Sequence, residues 1–121
     1  MRIERRFTRR GQSPYDGFTF VKRSSEIRNP DGSTVFKLDD IDVPEQWSQL
    51  AIDILAQKYF RKAGVPQRDQ NGQPMVGSDG KPVLGGERDA RQVFERMAGC
   101  WTHWGKSYGY FKTPEDAEAF N

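Results

Sequence analysis

Apolar residues recur at helical spacing between Glu87 and Gly105, and this pattern gives the strongest structural prediction in the chain. Steps of three, four and one place them on one face of a helix, with charged residues such as Glu95 and Arg96 on the opposite face. Gly105 follows the last periodic residue, where helices commonly end in a left-handed conformation. The predicted stripe consists of Ala90, Val93, Phe94, Met97, Ala98, Trp101 and Trp104.

A second helix is predicted over residues 42–64. Asp42, Pro44 and Glu45 have the order of a capping box with an early proline, and Gly64 followed by Pro66 is typical of a helix end. The two helices, both read as long, are expected to pack stripe against stripe. The facing residues would be Trp47, Ile54, Leu55 and Tyr59 on one helix and Val93, Phe94, Met97 and Trp101 on the other.

The alternating pattern of residues 17–41 predicts a β-hairpin. Two segments, roughly 18–27 and 34–41, alternate in the manner of strands and flank the turn cluster Asn29–Ser33. Its Asp31-Gly32 pair is among the strongest short hairpin signals. A hairpin is marginal alone in water, so it must pack on another part of the protein.

Residues 65–86 read as a flexible loop rich in glycine and proline. The loop holds two copies of a small unit, residues 71–77 and 79–85, which either form a weak ribbon turning at residues 77–80 or stay mobile. Neither glycine pattern of a nucleotide-binding loop is present, so we do not assign nucleotide binding to it.

The C-terminal residues predict one more helix start. Thr113, Pro114 and Asp116 supply an N-cap, a first-turn proline and an acid three residues on. Only about two turns follow, too few for an independent helix, and we expect the helix to be truncated from a longer sequence. The predicted fold class is α+β in a single domain, residues 1–121: a basic arm 1–16, the hairpin 17–41, a helix 42–64, the loop 65–86 and helices within 87–121.

Charge is uneven along the chain. The total is +2, but the first ten residues hold five arginines against one glutamate. One interpretation of this arm is contact with phosphates or nucleic acid. The other, which we favour because no recognition motif flanks the arginines, is a solvated arm or one paired with acidic residues of the same chain.

Cysteine content and hydropathy point to a cytoplasmic protein. The single cysteine, Cys100, excludes an intrachain disulfide, as is usual in a reducing compartment. No apolar run approaches the ~18 residues of a membrane span, and no apolar segment of the kind found in secretion signals follows the basic N-terminus.

No catalytic, cofactor-binding or metal-binding residue is assigned from the pattern. Cys100 and His103 lie three residues apart on one predicted helix, but no side chain is placed to orient the imidazole, so we read them as packing and surface residues. One histidine and one cysteine cannot complete a zinc site. The neighbouring carboxylates Asp39-Asp40 and Glu115-Asp116 are explained by solvation and helix capping.

Several long strings of this sequence resemble the N-terminal region of class II, adenosylcobalamin (vitamin B12)-dependent ribonucleotide reductases. The strings are MRIERRFT, SEIRNPDGSTVF, VPEQWSQLAIDILAQKYFRKAGVP, GERDARQVFERMAGCWTHWG and EDAEAF, in this order. The loop 66–86 differs from the family's usual linker, which contains tryptophan, and looks shorter. Cys100 stands where relatives tend to have a small residue such as threonine, so the resemblance carries over no catalytic residue.

The resemblance implies a non-catalytic N-terminal part of an enzyme that reduces ribonucleoside diphosphates for DNA synthesis. Its implied partner is the catalytic α/β barrel, in the same or a separate chain, with Tyr108, Tyr110 and Phe111 as a candidate docking patch. It also allows a homodimer of the whole enzyme. Adenosylcobalamin would belong to the whole enzyme and not to this chain, which alone is expected to be inactive. The alternative function is a free-standing module that binds nucleic acid or phosphate through its arginine arm.

Overall fold

The computed structural model describes residues 1–121 and has an α+β fold, as predicted. Helices and two small antiparallel sheets follow the basic arm. In chain order the elements are strands β1 (Phe20–Arg28) and β2 (Thr34–Pro44), helix α1 (Gln49–Ile54), a π-helical turn (Leu55–Tyr59), strands β3 (Val65–Pro66) and β4 (Leu84–Gly85), and helices α2 (Ala90–Ser107) and α3 (Pro114–Phe120).

The predicted hairpin is present, and its second strand is longer than expected. β1 and β2 pair from Phe20↔Pro44 to Arg28↔Thr34, with two irregularities in register. Gly32 takes the left-handed conformation at the turn, with φ of 89°. The strand continues past residue 41 because Val43, like Ile41, points into the core and is completely buried.

The prediction of one helix over residues 42–64 is wrong at both ends. Asp42–Pro44 belong to β2, and the helix begins only after Ser48, whose hydroxyl accepts a hydrogen bond from Ala51 N at 3.2 Å. The residues at Asp42 are compatible with a helix cap. However, the pairing of Val43 with Val21 buries an apolar side chain, and this burial would be lost if the helix began there.

The C-terminal end of this helix comes at Tyr59 rather than near Gly64. The last turn widens, so that Phe60 N donates to Leu55 O at 3.0 Å across five residues. Phe60 then leaves in an extended conformation with its side chain buried. Arg61 pairs with Glu87 instead of continuing the helix, since Glu87 N donates to Arg61 O at 2.9 Å.

The loop 65–86 folds into a small closed ring of three units, each eight residues long. The sequence pattern indicates two of these units; the additional one starts at Gly64, the last residue of the predicted helix, and continues into the predicted loop. Each unit begins with Gly-x-Pro, at residues 64–66, 72–74 and 80–82. The three glycines share a left-handed conformation, with φ of 78°, 75° and 76°.

Backbone hydrogen bonds join the three units in a cycle. Gln67 N donates to Val83 O at 2.8 Å, Val83 N to Met75 O at 2.9 Å, and Met75 N to Gln67 O at 3.0 Å. The short strands β3 and β4 close the ring by pairing its first and last residues. The ring thereby satisfies its own backbone groups with little regular sheet.

Helix α2 starts and ends slightly later than predicted. Asp89 caps its first turn by accepting from Arg91 N at 2.9 Å, and Gln92 Oε1 accepts from Asp89 N at 3.0 Å. Gly105 is not the left-handed cap; it lies inside the helix beside Phe111, and Gly109, with φ of 69°, takes the left-handed position. The cap of α3 is as expected, with Thr113 and Asp116 forming a capping box.

The apolar core lies between the hairpin, α1 and the first half of α2. Leu55 and Val93 are buried in it, so part of the predicted helix pairing is present. The stripes do not pack along their full length. The first helix, by which we mean α1 and the π-helical turn that continues it, is about 16 Å long, whereas α2 is about 27 Å long. The core residues are Ile41, Val43, Ile52, Leu55, Ala56, Phe60, Ala90 and Val93.

Candidate docking surface

The residues considered for thiol chemistry lie on the surface. Cys100 is an exposed free thiol, and His103 is also exposed, on the same helix. Nothing places a carboxylate or amide to orient the imidazole, and no group of three or more His, Cys, Asp or Glu side chains has the arrangement of a metal site. The prediction that Cys100 is packed in the core is therefore wrong, whereas the surface position predicted for His103 is confirmed. The two residues form no enclosed site.

The arginine arm lies along α3 and pairs with its acidic side chains. Arg5 contacts Glu118 at 3.2 Å, and Arg10 contacts Glu115 at 2.6 Å. Backbone bonds attach the same arm, since Ile3 N donates to Asp116 Oδ1 at 2.8 Å. The geometry is that of an arm held by acidic residues of its own chain.

Asp116 joins the arm to the cap of α3. Its carboxylate accepts from Ile3 N and from Thr113, through both the backbone N–H and the hydroxyl. The Ile3 N–H foremost, and then the Thr113 hydroxyl, hold the pKa of Asp116 below its ordinary value. The charged form of this carboxylate therefore fastens the N-terminus.

Glu87 is a buried carboxylate that the sequence pattern did not single out. It accepts from Arg61 N at 2.7 Å and pairs with Arg96 at 3.1 Å. Arg96 also donates to Tyr59 O at 2.6 Å, which satisfies a carbonyl at the end of the π turn. Glu87 and Arg96 are nine residues apart, a spacing that is no recognisable motif, so only the fold shows that they clamp α2 to the first helix.

A polar cleft lies between the ring and the start of α2, with a volume of about 620 Å³. Several of its charged groups have partners within the chain: Lys22 contacts Asp42 at 3.1 Å, and Arg88 donates to Asp39 O at 3.0 Å. Asp89 is engaged by Arg91 at 2.8 Å. Lys22, Arg88 and Asp89 of the cleft are therefore already engaged within the chain.

An apolar groove separates the first helix from α2. The groove has a volume of about 380 Å³, and every residue that lines it is hydrophobic. Trp47 and Phe94 close one part of it in an edge-to-face contact, with ring centroids 6.1 Å apart. The lining residues are Trp47, Ala51, Ile54, Leu55, Tyr59, Val93, Phe94 and Met97.

The apolar stripe of α2 continues beyond this groove without any covering element. Trp101 is 49% exposed and Trp104 is 54% exposed, and Tyr108 is exposed more fully. Helical spacing from Phe94 and Met97 places these three on the same face. We define the docking stripe as the exposed side chains Ile54, Tyr59, Phe94, Trp101, Trp104 and Tyr108.

One residue of the predicted docking patch, Phe111, is half-buried in contacts within the domain. Tyr108 and Tyr110 are exposed, with ring centroids 6.3 Å apart. Phe111 packs against Phe120 at 5.3 Å and against Gly105, so it joins α2 to α3. The spacing of the aromatic residues could not separate these roles, because the turn at Gly109 reverses the chain between them.

A family model for class II vitamin B12-dependent ribonucleotide reductase matches residues 21–121 of this chain. The chain belongs to that family. Relatives named vitamin B12-dependent ribonucleotide reductase are 54% identical in Agrobacterium fabrum and 52% identical in Bradyrhizobium diazoefficiens, each over 99% of this chain. A relative of the same name in Rhodopirellula baltica is 33% identical over 91% of the chain.

The match concerns the N-terminal region of these reductases. The chain spans only 11% of the length of the Agrobacterium and Bradyrhizobium relatives. None of the reductase region's helices combines the length and the apolar character needed to cross a membrane. Its docking stripe is thus an apolar surface on a region that, in its relatives, accompanies a much longer polypeptide.

Proposed function

We propose that this chain is the non-catalytic N-terminal part of a vitamin B12-dependent ribonucleoside-diphosphate reductase and that it docks on the catalytic barrel. The main support for this proposal is the docking stripe, which is apolar, extensive and not covered by any other element. Large exposed apolar patches are characteristic of interaction sites. The relatives, of which the chain spans about a tenth, support the choice of the reductase's own remaining polypeptide as the partner.

Burial of the stripe provides a driving force of useful size. Covering the exposed halves of Trp101 and Trp104 removes roughly 200 Å² of apolar surface from water, which corresponds to about 5 kcal/mol before ordering costs. A link within one polypeptide lowers the entropic cost of association. Apolar burial can therefore account for the docking of this chain, which needs no catalytic residue of its own in this proposal.

The cofactor belongs to the whole enzyme in this proposal. The relatives' names specify vitamin B12, and the whole enzyme would use it as adenosylcobalamin to convert ribonucleotides to deoxyribonucleotides in the cytoplasm. We find no fit for such a group: every residue that lines the apolar groove is hydrophobic, and Lys22, Arg88 and Asp89 of the polar cleft are already engaged within the chain. We therefore assign no cofactor contact to it.

The test uses the Agrobacterium reductase, because its N-terminal region matches this chain closely. Three proteins are compared: the complete enzyme, the enzyme without its matching N-terminal region, and a chimera in which this chain replaces that region. Ribonucleotide reduction is measured with adenosylcobalamin, and association of the separately expressed parts is measured by co-purification. We expect the chimera to retain most of the activity that the deletion loses, and the separate parts to associate.

A chain that neither associates with the remaining polypeptide nor restores activity would show that the proposal is wrong. The alternative, a free-standing module for nucleic acid or phosphate, makes a different prediction, namely salt-dependent binding that is lost on replacing Arg6 and Arg9. The pairing of Arg5 and Arg10 with α3 leaves that alternative with fewer free cations than the sequence suggested.

A further inference from the structure

The apolar groove has the features of a binding site for an α-helix. We infer that its occupant is a helix with an apolar stripe, contributed by the reductase polypeptide outside this chain. This inference rests on the proposed function and specifies the partner and the position of contact. It places the occupant between the first helix and α2, in line with the docking stripe.

The lining of the groove favours a helix over an extended segment. All eight lining residues are hydrophobic, with Leu55 and Val93 buried at the floor and Tyr59 and Phe94 exposed at the rims. A strand or irregular loop laid in such a groove would bury backbone N–H and C=O groups without partners. A helix satisfies those groups internally and presents only side chains.

The shape of the groove is that of a valley between two helices. A helix normally packs into such a valley by placing its side-chain ridges between those of its neighbours. Along α2 the uncovered stripe extends from Phe94 to Tyr108, about 21 Å at 1.5 Å per residue. An occupant of about four turns would therefore cover it.

The extent of the surface favours the same polypeptide over a second copy of this chain. The six exposed side chains of the stripe provide roughly 500 Å², estimated from the area that aromatic side chains bury. A stable interface between separate proteins needs about 800 Å² per partner. A dimer through the stripe alone would bury only this area, whereas the much longer remainder of the reductase can also contact other parts of this chain.

Photo-crosslinking in the chimeric reductase tests the occupant directly. Benzoylphenylalanine replaces Tyr59, which is 53% exposed at the groove rim, or Val35, a matched control that is 60% exposed on the hairpin. Crosslinked residues are identified by mass spectrometry. We expect about tenfold more product from position 59 than from position 35, because only the former would lie inside an interface.

The spacing of the crosslinked residues identifies the kind of segment. A helical occupant gives insertion sites three and four residues apart, outside residues 1–121, on the same polypeptide. Sites two residues apart, product confined to residues 1–121, no product, or equal yields from both positions would overturn the inference. Crosslinks to a second copy, recognised by mixing isotopically labelled and unlabelled chimera, would also overturn it.

This result can be separated from failure of the proposed function. If the chimera is active and its parts associate while the groove crosslinks to nothing outside this chain, docking stands and the helix-in-groove inference falls. If the parts do not associate and the chimera lacks activity, the proposed function falls as well.

Discussion

The two halves of α2 carry one apolar stripe in different surroundings. In the first half, Ala90 and Val93 are buried beneath the hairpin and the first helix, whereas in the second half Trp101 and Trp104 remain about half exposed. The difference arises because the first helix stops at Tyr59, too early to cover the whole stripe. Side chains of the same kind thus stabilise the fold at one end of α2 and remain available to a partner at the other.

The largest expected effect concerns the covered half. Ile52→Ala opens a cavity in the core that buries Ala90 and Val93, and we expect a loss of about 2–5 kcal/mol in the free energy of unfolding. Urea denaturation of the 121-residue chain measures it. The matched control is Leu50→Ala on the same helix, where the side chain is exposed and the expected change is within about 0.5 kcal/mol. Equal losses in the two variants would contradict the assignment of the core.

The clamp at the start of α2 gives the next effect. Glu87→Ala leaves Arg61 N and the Arg96 guanidinium without their acceptor, and we expect a loss of about 2–3 kcal/mol in the same assay. Glu87→Gln should lose less because its amide oxygen still accepts. Glu95→Ala, at an exposed position on α2, should change stability by less than about 0.5 kcal/mol. An unchanged free energy of unfolding in Glu87→Ala would show that Glu87 does not clamp α2 to the first helix.

Two glycines in the second half of α2 differ in their surroundings: Gly105 lies against a neighbouring side chain, and Gly99 faces open space. A Cβ at Gly105 would lie 2.4 Å from Phe111 Cε2, so Gly105→Ala should destabilise by about 1–2 kcal/mol despite its better helix propensity. A Cβ at Gly99 meets nothing within 4 Å, and Gly99→Ala should stabilise by up to about 1 kcal/mol. Thermal unfolding compares them, and the same sign for both would contradict the packing of Phe111 on α2.

The smallest effect is an acid-dependent release of the N-terminal arm. The folded-state pKa of Asp116 is lowered, so its contribution to stability is complete above the unfolded value of about 4 and is lost as the pH falls through the folded value. The NMR shift of the Ile3 amide should move in this acidic range. In Asp116→Asn that titration should be absent; an unchanged titration would assign it to another group.

Local signals predicted much of this fold. Asp31-Gly32 specified the hairpin turn, Thr113 and Asp116 the cap of α3, and the period of the stripe specified α2. In each case the neighbouring residues alone determine the favoured geometry.

The features that escaped prediction depend on contacts distant in sequence. Asp42–Glu45 can serve as a helix cap or a strand end, and burial of Val43 against the core decides between them. The three-unit ring closes only when residue 67 meets residue 83. The sequence pattern shows that the docking stripe is apolar. Its exposure, however, results from the early end of the first helix, which no local sequence pattern predicts.

The central claim is that the exposed half of the α2 stripe is covered by the rest of a reductase. Alkylation of Trp101→Cys and Trp104→Cys in a Cys100→Ser background tests it, with the modified peptide quantified by mass spectrometry in the isolated chain and in the chimera. The account predicts a rate about tenfold lower in the chimera, because side chains inside an interface are excluded from solvent, and no change for Val35→Cys on the hairpin. Equal rates at positions 101 and 104 in the two proteins would contradict it.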